Sequence, residues 1–184
     1  IELLTGSVTE QEANLLYIAV TTDTGCFQYA NTNAATLRAA ARLLELGADN
    51  RKVSMEFFRK ISRARMALVG HIYSGMRFFR GGQIAIAVVT RALIDDLQAT
   101  EDDCDDIAGL PGRADGVVVS VTIRELTDGR SKISVRTTPE VDSCAICAVY
   151  GGGGHKMASG CTLTCDPETA VEKILAAIDQ VWPV

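Results

Sequence analysis

Four consecutive glycines, Gly151, Gly152, Gly153 and Gly154, run directly into His155 and Lys156. Such a run cannot pack a core and carries a large backbone entropy cost, so it belongs where backbone must approach a ligand closely or take positive φ. Its N–H groups can form a concave nest for an anion, and an imidazole and an ammonium can close that nest with charge-assisted donors. The chemistry within reach is the holding of a phosphate; a flexible loop with a chance histidine is the plainer alternative. Arg136 lies upstream in the stretch 132–138, where Ile133 and Val135 alternate with Ser134 and Arg136. That alternation predicts a strand with Arg136 on its polar face. There a guanidinium can fork onto phosphate oxygens, or serve in a surface ion pair.

Asp23, in Thr21-Thr22-Asp23-Thr24-Gly25, is a further candidate. Thr and Gly continue a helix poorly, so Asp23 is expected in a tight loop just past a helix end. On spacing alone an Asx-turn accounts for it. Six cysteines stand at 26, 104, 144, 147, 161 and 165. Cys144-x-x-Cys147 and Cys161-x-x-x-Cys165 have spacings that a zinc site could use. The glycine run lies between the two pairs, however, and Cys147 reads as a small buried hydrophobe on a short apolar helix. Five carboxylates among the six residues from Glu101 to Asp106 read as solvated surface, since their spacing matches no calcium loop.

The 184 residues allow one domain, or one domain and part of another. A 47% hydrophobic content leaves ample core without a disulfide framework. A net charge of −5 argues against a surface that wraps long duplex DNA, and 5% aromatics against a stacking platform for long single strands. No apolar run approaches the ~20 residues of a membrane span, and no signal-peptide pattern opens the chain. The chain starts at Ile1 rather than Met, with no strand before its first helix, and so reads as a piece of something longer.

The elements that must position these residues follow from periodicity. Thr9 with Glu12 has capping-box spacing, followed by the apolar set Leu15, Leu16, Ile18 and Ala19. A short extended stretch, Cys26 to Tyr29, comes next. A second helix spans 34–46, capped by Asn33 or Thr32 and stopped by Gly47. A third runs over about 52–62 with Val53, Phe57, Phe58 and Ile61 on one face. It passes through a kink toward Ile72, so that the boundary between a helical lobe and a self-contained domain lies within 48–66 and is set at 50. Beyond Met76 the period becomes extended. A hairpin turns at Gly81-Gly82, and a buried strand spans 117–123. Asp128-Gly129 signals a type I′ hairpin, and Pro167 opens a last helix with Val171, Ile174, Leu175 and Ile178 inward. The expected fold is α/β (α+β): a mixed β-sheet flanked by helices, preceded by a helical piece.

The stretch 151–160, GGGGHKMASG, with Ser134-Val135-Arg136 before it, resembles the signature of the DHH-associated subfamily-1 domain, the C-terminal lobe of DHH phosphoesterases. Thr22-Asp23-Thr24-Gly25-x-Phe27 followed by Asn31-Thr32 resembles the last metal-binding motif of the DHH catalytic domain. Two motifs in the right order cover nearly the whole chain. Met157, Ser159 and Cys147 depart modestly from the family pattern. The resemblance implies that residues 1–50 are the end of a catalytic lobe and residues 51–184 a substrate-binding domain. It implies a manganese-dependent, cytoplasmic phosphoesterase acting on short RNA or nucleotides, dimeric in its intact form, with Asp23 as one manganese ligand. Arg136, Gly151, Gly152, Gly153, Gly154, His155 and Lys156 would grip the nucleotide. The other metal ligands have no counterpart in these residues, so the resemblance implies binding without turnover for this stretch alone. Short RNA, cyclic dinucleotide and nucleotide bisphosphate remain equally open as substrates, and a non-catalytic nucleotide or single-stranded nucleic-acid module is the alternative.

Overall fold

The computed structural model describes residues 6–183; the start of the chain at Ile1 lies outside them. The chain separates into two compact units, residues 1–61 and 62–184. The division falls inside the expected stretch 48–66. It leaves the helical turns after 50 with the first unit, because Val53 is buried with Tyr17, Ala40 and Ala48.

In the first unit, α1 (Glu10–Asp23) begins with the expected capping box: Thr9 Oγ1 accepts from the Glu12 N–H, and the Glu12 carboxylate accepts from the Thr9 N–H. Its buried residues are Ala13, Tyr17 and Thr21, not the expected Leu15 and Leu16, which are exposed. The Tyr17 hydroxyl reaches Asn50 at 3.0 Å, so an amphipathic tyrosine, spaced four from Ala13 and Thr21, sets the inward face. α2 (Ala34–Glu45) is capped by Asn33 and followed by Gly47 at positive φ. α3 (Asn50–Ser54) passes into a π-turn, Met55–Arg59. Phe57, Phe58 and Ile61 are exposed there, because the extra residue of a π-turn rotates the face that carries Val53. The expected extended stretch Cys26 to Tyr29 is instead a tight turn. The Thr24 carbonyl accepts from both Gln28 and Tyr29, while Cys26 and Phe27 are held at positive φ.

The second unit is a six-stranded mixed sheet in the order β1-β2-β3-β4-β6-β5. Helix α4 (Arg63–Gly75) leads into β1 (Arg77–Phe79) and β2 (Ile84–Val89), an antiparallel pair. α5 (Arg91–Asp96) and three 3₁₀ turns between Asp102 and Arg113 carry the chain to β3 (Val119–Glu125), parallel to β2. β4 (Ser131–Thr137) returns antiparallel. The β3–β4 loop differs from the type I′ expectation. Gly129 N–H bonds the Leu126 carbonyl and Leu126 N–H bonds the Arg130 carbonyl, with positive φ at Gly129 but not at Asp128. This is a type I turn closed by a glycine bulge. Then follow α6 (Ser143–Ala148), β5 (Gly153–His155), β6 (Ala158–Leu163) and α7 (Pro167–Val181).

The two faces of this sheet have different fates. One packs α6 and α7 over Val121, Ile123, Ile133, Val135 and their neighbours in a continuous core. The other is covered only over β2 and β3, where Leu68 and Ile72 of α4, with Ile107 and Leu110 of the 3₁₀ turns, bury Ala87 and Val89. Over β4 the turn at residues 105–108 leaves an open cavity on that second face, and over β6 and β5 no apolar cluster of this unit covers it.

Candidate nucleotide-binding face

This second face carries Arg136 and His155. Residues directly opposite in an antiparallel pair project to the same side. Arg136 is paired with Ala158, and Ala158 with His155. The row Arg136–Ala158–His155 therefore crosses three adjacent strands on one face. At ~4.8 Å per strand, the outer two backbones lie about 10 Å apart. The alanine between them and Gly160 one pair along leave a low floor, flanked by a guanidinium on one side and an imidazole on the other. Arg136 donates to its neighbour's carbonyl, Val135 O, at 3.0 Å, which leaves most of its guanidinium donors unused by the described residues. His155 is exposed, and so is Lys156 in the two-residue turn that follows.

That turn is clamped. The Ser143 N–H donates to Lys156 O (2.8 Å) and the Ser143 hydroxyl to His155 O (3.1 Å). From the end of β4, the Thr137 N–H donates to Met157 O at 3.2 Å. Asp142 caps α6 by accepting from the Cys144 and Ala145 N–H groups, which fixes Ser143 at the first helical position where it can make both bonds. His155 thus sits on a rigid hairpin rather than on a loose loop.

The glycines act differently from the expected nest. Gly151 N–H bonds the Ala148 carbonyl and Gly152 N–H the Cys147 carbonyl, with Gly151 at φ +72°. This is a Schellman closure of α6, and it spends two of the N–H groups on the helix end. At Gly152 an added Cβ would lie 2.3 Å from the Gly160 carbonyl oxygen and 2.5 Å from Cys161 Cβ. Gly153 and Gly154 belong to the short edge strand β5. The run therefore lets backbone lie flat against β6 and brings His155 into line with Arg136.

Beneath the hairpin, on the core side, Ser159 Oγ donates to Ser143 O (2.6 Å) and lies 3.1 Å from Cys147 Sγ. The Cys161 thiol, donating to it, draws the Cys147 thiol below its ordinary value against the opposing effect of burial, helped by Ser159 and the Arg136 field. The same bond, with burial, pushes Cys161 up. All six cysteines are free thiols.

Asp23, in the first unit, is the last residue of α1. Its carboxylate accepts from Asn31 Nδ2 at 3.0 Å and its carbonyl from the same amide at 3.2 Å, so the structure joins the two ends of the Asp23–Asn31 motif. Among the described residues, no group of three or more His, Cys, Asp or Glu side chains is placed to hold a metal ion. One carboxylate, already accepting from an amide, does not make a metal centre, and the donor set present does not fit two manganese ions.

The sequence expectations put Ser134 on the polar face with Arg136 and left Lys132 out. Lys132 and Ser134 both share the face of Arg136 at two-residue spacing, a signal present in the alternation of residues 132–136. Ala158 and Gly160 as a floor had no signal of their own, since their role exists only through the β4–β6–β5 register.

A mixed sheet ending in a glycine-rich edge hairpin, with Arg136 and His155 aligned across it, defines the class: the chain belongs to the DHHA1 domain family, whose model matches residues 81–182. It is 37% identical, over 97% of its length, to the bifunctional oligoribonuclease and PAP phosphatase NrnA of Thermus thermophilus, of which it spans 53%. It is 28% identical over 96% of its length to an A-adding tRNA nucleotidyltransferase of Geobacter sulfurreducens, of which it spans 19%. Among solved structures, an exopolyphosphatase-related protein from Bacteroides fragilis superposes with a TM-score of 0.85 at 25% identity, covering 94% of this chain and 51% of that one. The chain thus spans about half the length of the Thermus relative. No helix among the described residues is long and apolar enough to cross a membrane.

Proposed function

We propose that this chain is the nucleotide-gripping part of a phosphoesterase acting on short oligoribonucleotides or nucleotides. The observation that carries the proposal is the Arg136–Ala158–His155 row: two cationic or hydrogen-bonding groups stand on one sheet face on either side of a small-residue floor. Arg136 forks onto phosphate oxygens, His155 donates from the opposite side, and Lys156 adds charge at the hairpin tip. The kinship with NrnA of Thermus thermophilus supports a phosphate-ester substrate of this size. The part of this chain is to hold and orient the phosphate.

Titration of the chain with a fluorescent adenosine 5′-monophosphate tests this reading. His155→Ala and Arg136→Ala are each expected to weaken binding by about tenfold or more, the worth of one charge-assisted hydrogen bond. Affinity unchanged in both variants would overturn the assignment.

A second reading is favoured by one observation. Residues matching nearly the whole of this chain also occur within an A-adding tRNA nucleotidyltransferase. On that reading the two units are a nucleic-acid-binding module joined to different activities. Incubation of the 184-residue chain with a 5′-phosphorylated diadenylate and manganese separates the two levels. Binding without release of mononucleotide is the expected result, and release of mononucleotide would show that the chain carries a complete centre of its own.

A further inference from the structure

On the core side of the sheet two cysteines meet. Cys147, near the end of α6, and Cys161, within β6, are fourteen positions apart and belong to one buried cluster. The Cys161 thiol donates to Cys147, and Ser159 Oγ lies 3.1 Å from the Cys147 sulfur. Ser159 and Cys161 stand two apart on β6 and so share a strand face, against which the Cys147 sulfur is set. The two cysteine backbones are also joined through a single residue. Gly152 donates its N–H to Cys147 O at 3.0 Å, and it lies so close to Cys161 that an added Cβ would be 2.5 Å from Cys161 Cβ. The glycine that closes α6 thus seats the helix end on β6.

A buried cysteine ordinarily behaves as a small hydrophobe with an inert thiol, because burial disfavours the thiolate. Here the two thiols are driven apart. The hydrogen bond from Cys161, with Ser159 and the field of Arg136, draws Cys147 toward thiolate, while Cys161 keeps its proton. One sulfur is a nucleophile, and the other stands beside it as its donor. Cys161 retains 7% exposure, and the residue packed on its Cβ has no side chain, so the seam suits a small oxidant better than a bulky disulfide. We propose that Cys147 and Cys161 are a peroxide-oxidised pair whose disulfide reversibly ties α6 to β6 and closes the segment that carries Gly151 to Lys156. The Cys147 thiolate attacks one oxygen of hydrogen peroxide and the O–O bond breaks. The proton that Cys147 gave up completes a water, and a sulfenic acid remains. The Cys161 sulfur then attacks the sulfenic sulfur: the S–S bond forms, the S–O bond breaks, and the Cys161 proton leaves with the hydroxide as a second water. The two thiols lose two electrons, and one peroxide becomes two waters.

The test exposes the reduced 184-residue chain to hydrogen peroxide, alkylates it after unfolding and maps its peptides by mass. The expected product is a Cys147–Cys161 cross-linked peptide, two hydrogens lighter than the two thiol peptides together and released by dithiothreitol. Cys161→Ser should leave Cys147 as a sulfenic acid that dimedone captures, whereas Cys147→Ser should leave Cys161 unlabelled. Because the bond restrains a loop of about 15 residues in the unfolded chain, the oxidised parent should melt about 5 °C or more above the reduced parent. Neither variant should show that rise. Peroxide oxidation confined to Cys26, Cys144 and Cys165, the less buried thiols, with Cys147 and Cys161 recovered alkylated, would overturn the proposal. So would dimedone on Cys161 in Cys147→Ser, which reverses the two roles, or a cross-link that leaves the melting temperature unchanged, which ties nothing. The peptide map of the parent decides the pairing even where a variant does not fold.

Discussion

Gly152→Ala is expected to destabilise the second unit by about 3 kcal/mol or more, while Gly153→Ala stays within about 0.5 kcal/mol of the parent chain. The methyl group at 152 would be forced within 2.3 Å of the Gly160 carbonyl oxygen and 2.9 Å of Cys161 Cα, both backbone atoms of a strand paired on its other side with β4. No rotamer change relieves that clash; β5 must move off β6 or β6 off β4. At Gly153 an added Cβ meets nothing within 4 Å. Gly151, at φ +72°, falls between them, since a side chain there costs about 1–2 kcal/mol in the left-handed region. Denaturant unfolding of the three variants reads the order directly. Equal cost at the three positions would mean that the run serves as a nest and not as a seam between strands. Because β5 carries His155, the Gly152 variant should also lose nucleotide affinity, whereas the Gly153 variant keeps it.

Ile174→Ala is expected to cost about 3–4 kcal/mol, lowering the melting temperature of the second unit by about 10 °C. Ile174 is fully buried where α7 lies across the sheet, among Ala170, Ala177, Ile178 and the β3–β4 hydrophobes. Deleting its branched end leaves a cavity that a helix pinned along its whole buried face cannot close. Leu15→Ala is the counterpart. Leu15 is 61% exposed, and its loss should change stability by less than about 0.5 kcal/mol. Thermal melts of the two variants check this, and a large effect at Leu15 would show that α1 buries a face other than Ala13, Tyr17 and Thr21.

Leu15 and Leu16, both exposed on α1, mark where the sequence stops being legible. In α7 the apolar residues keep one spacing, and Val171, Ile174 and Ile178 are buried on the expected side; the same kind of spacing at Val53, Phe57, Phe58 and Ile61 is broken by the π-turn. In α1 apolar residues occur on more than one face, and only packing selects Tyr17, because its ring and its hydroxyl are both satisfied there by Phe27 and Asn50. Cys26 to Tyr29 has strand-like composition, yet its backbone turns because the Thr24 carbonyl and hydroxyl collect the N–H groups that follow. Local preference loses there to a hydrogen-bonding group that periodicity does not weigh.

The same division runs through the candidate site. Residue types and spacing alone determined that a glycine run meets a histidine, that Arg136 shares a strand face with Ser134, and that a final helix covers the sheet. What tertiary structure decided is the alignment. Arg136 and His155 are nineteen positions apart, and they share a row only because β6 inserts between β4 and β5 with Ala158 opposite both. It also decided that two of the glycine N–H groups close a helix and do not face a ligand. Periodicity reports which side of a strand a residue occupies. Which strand lies beside it, and in what register, is settled by long-range pairing and by close contacts such as that of Gly152 with Gly160, which no local pattern records.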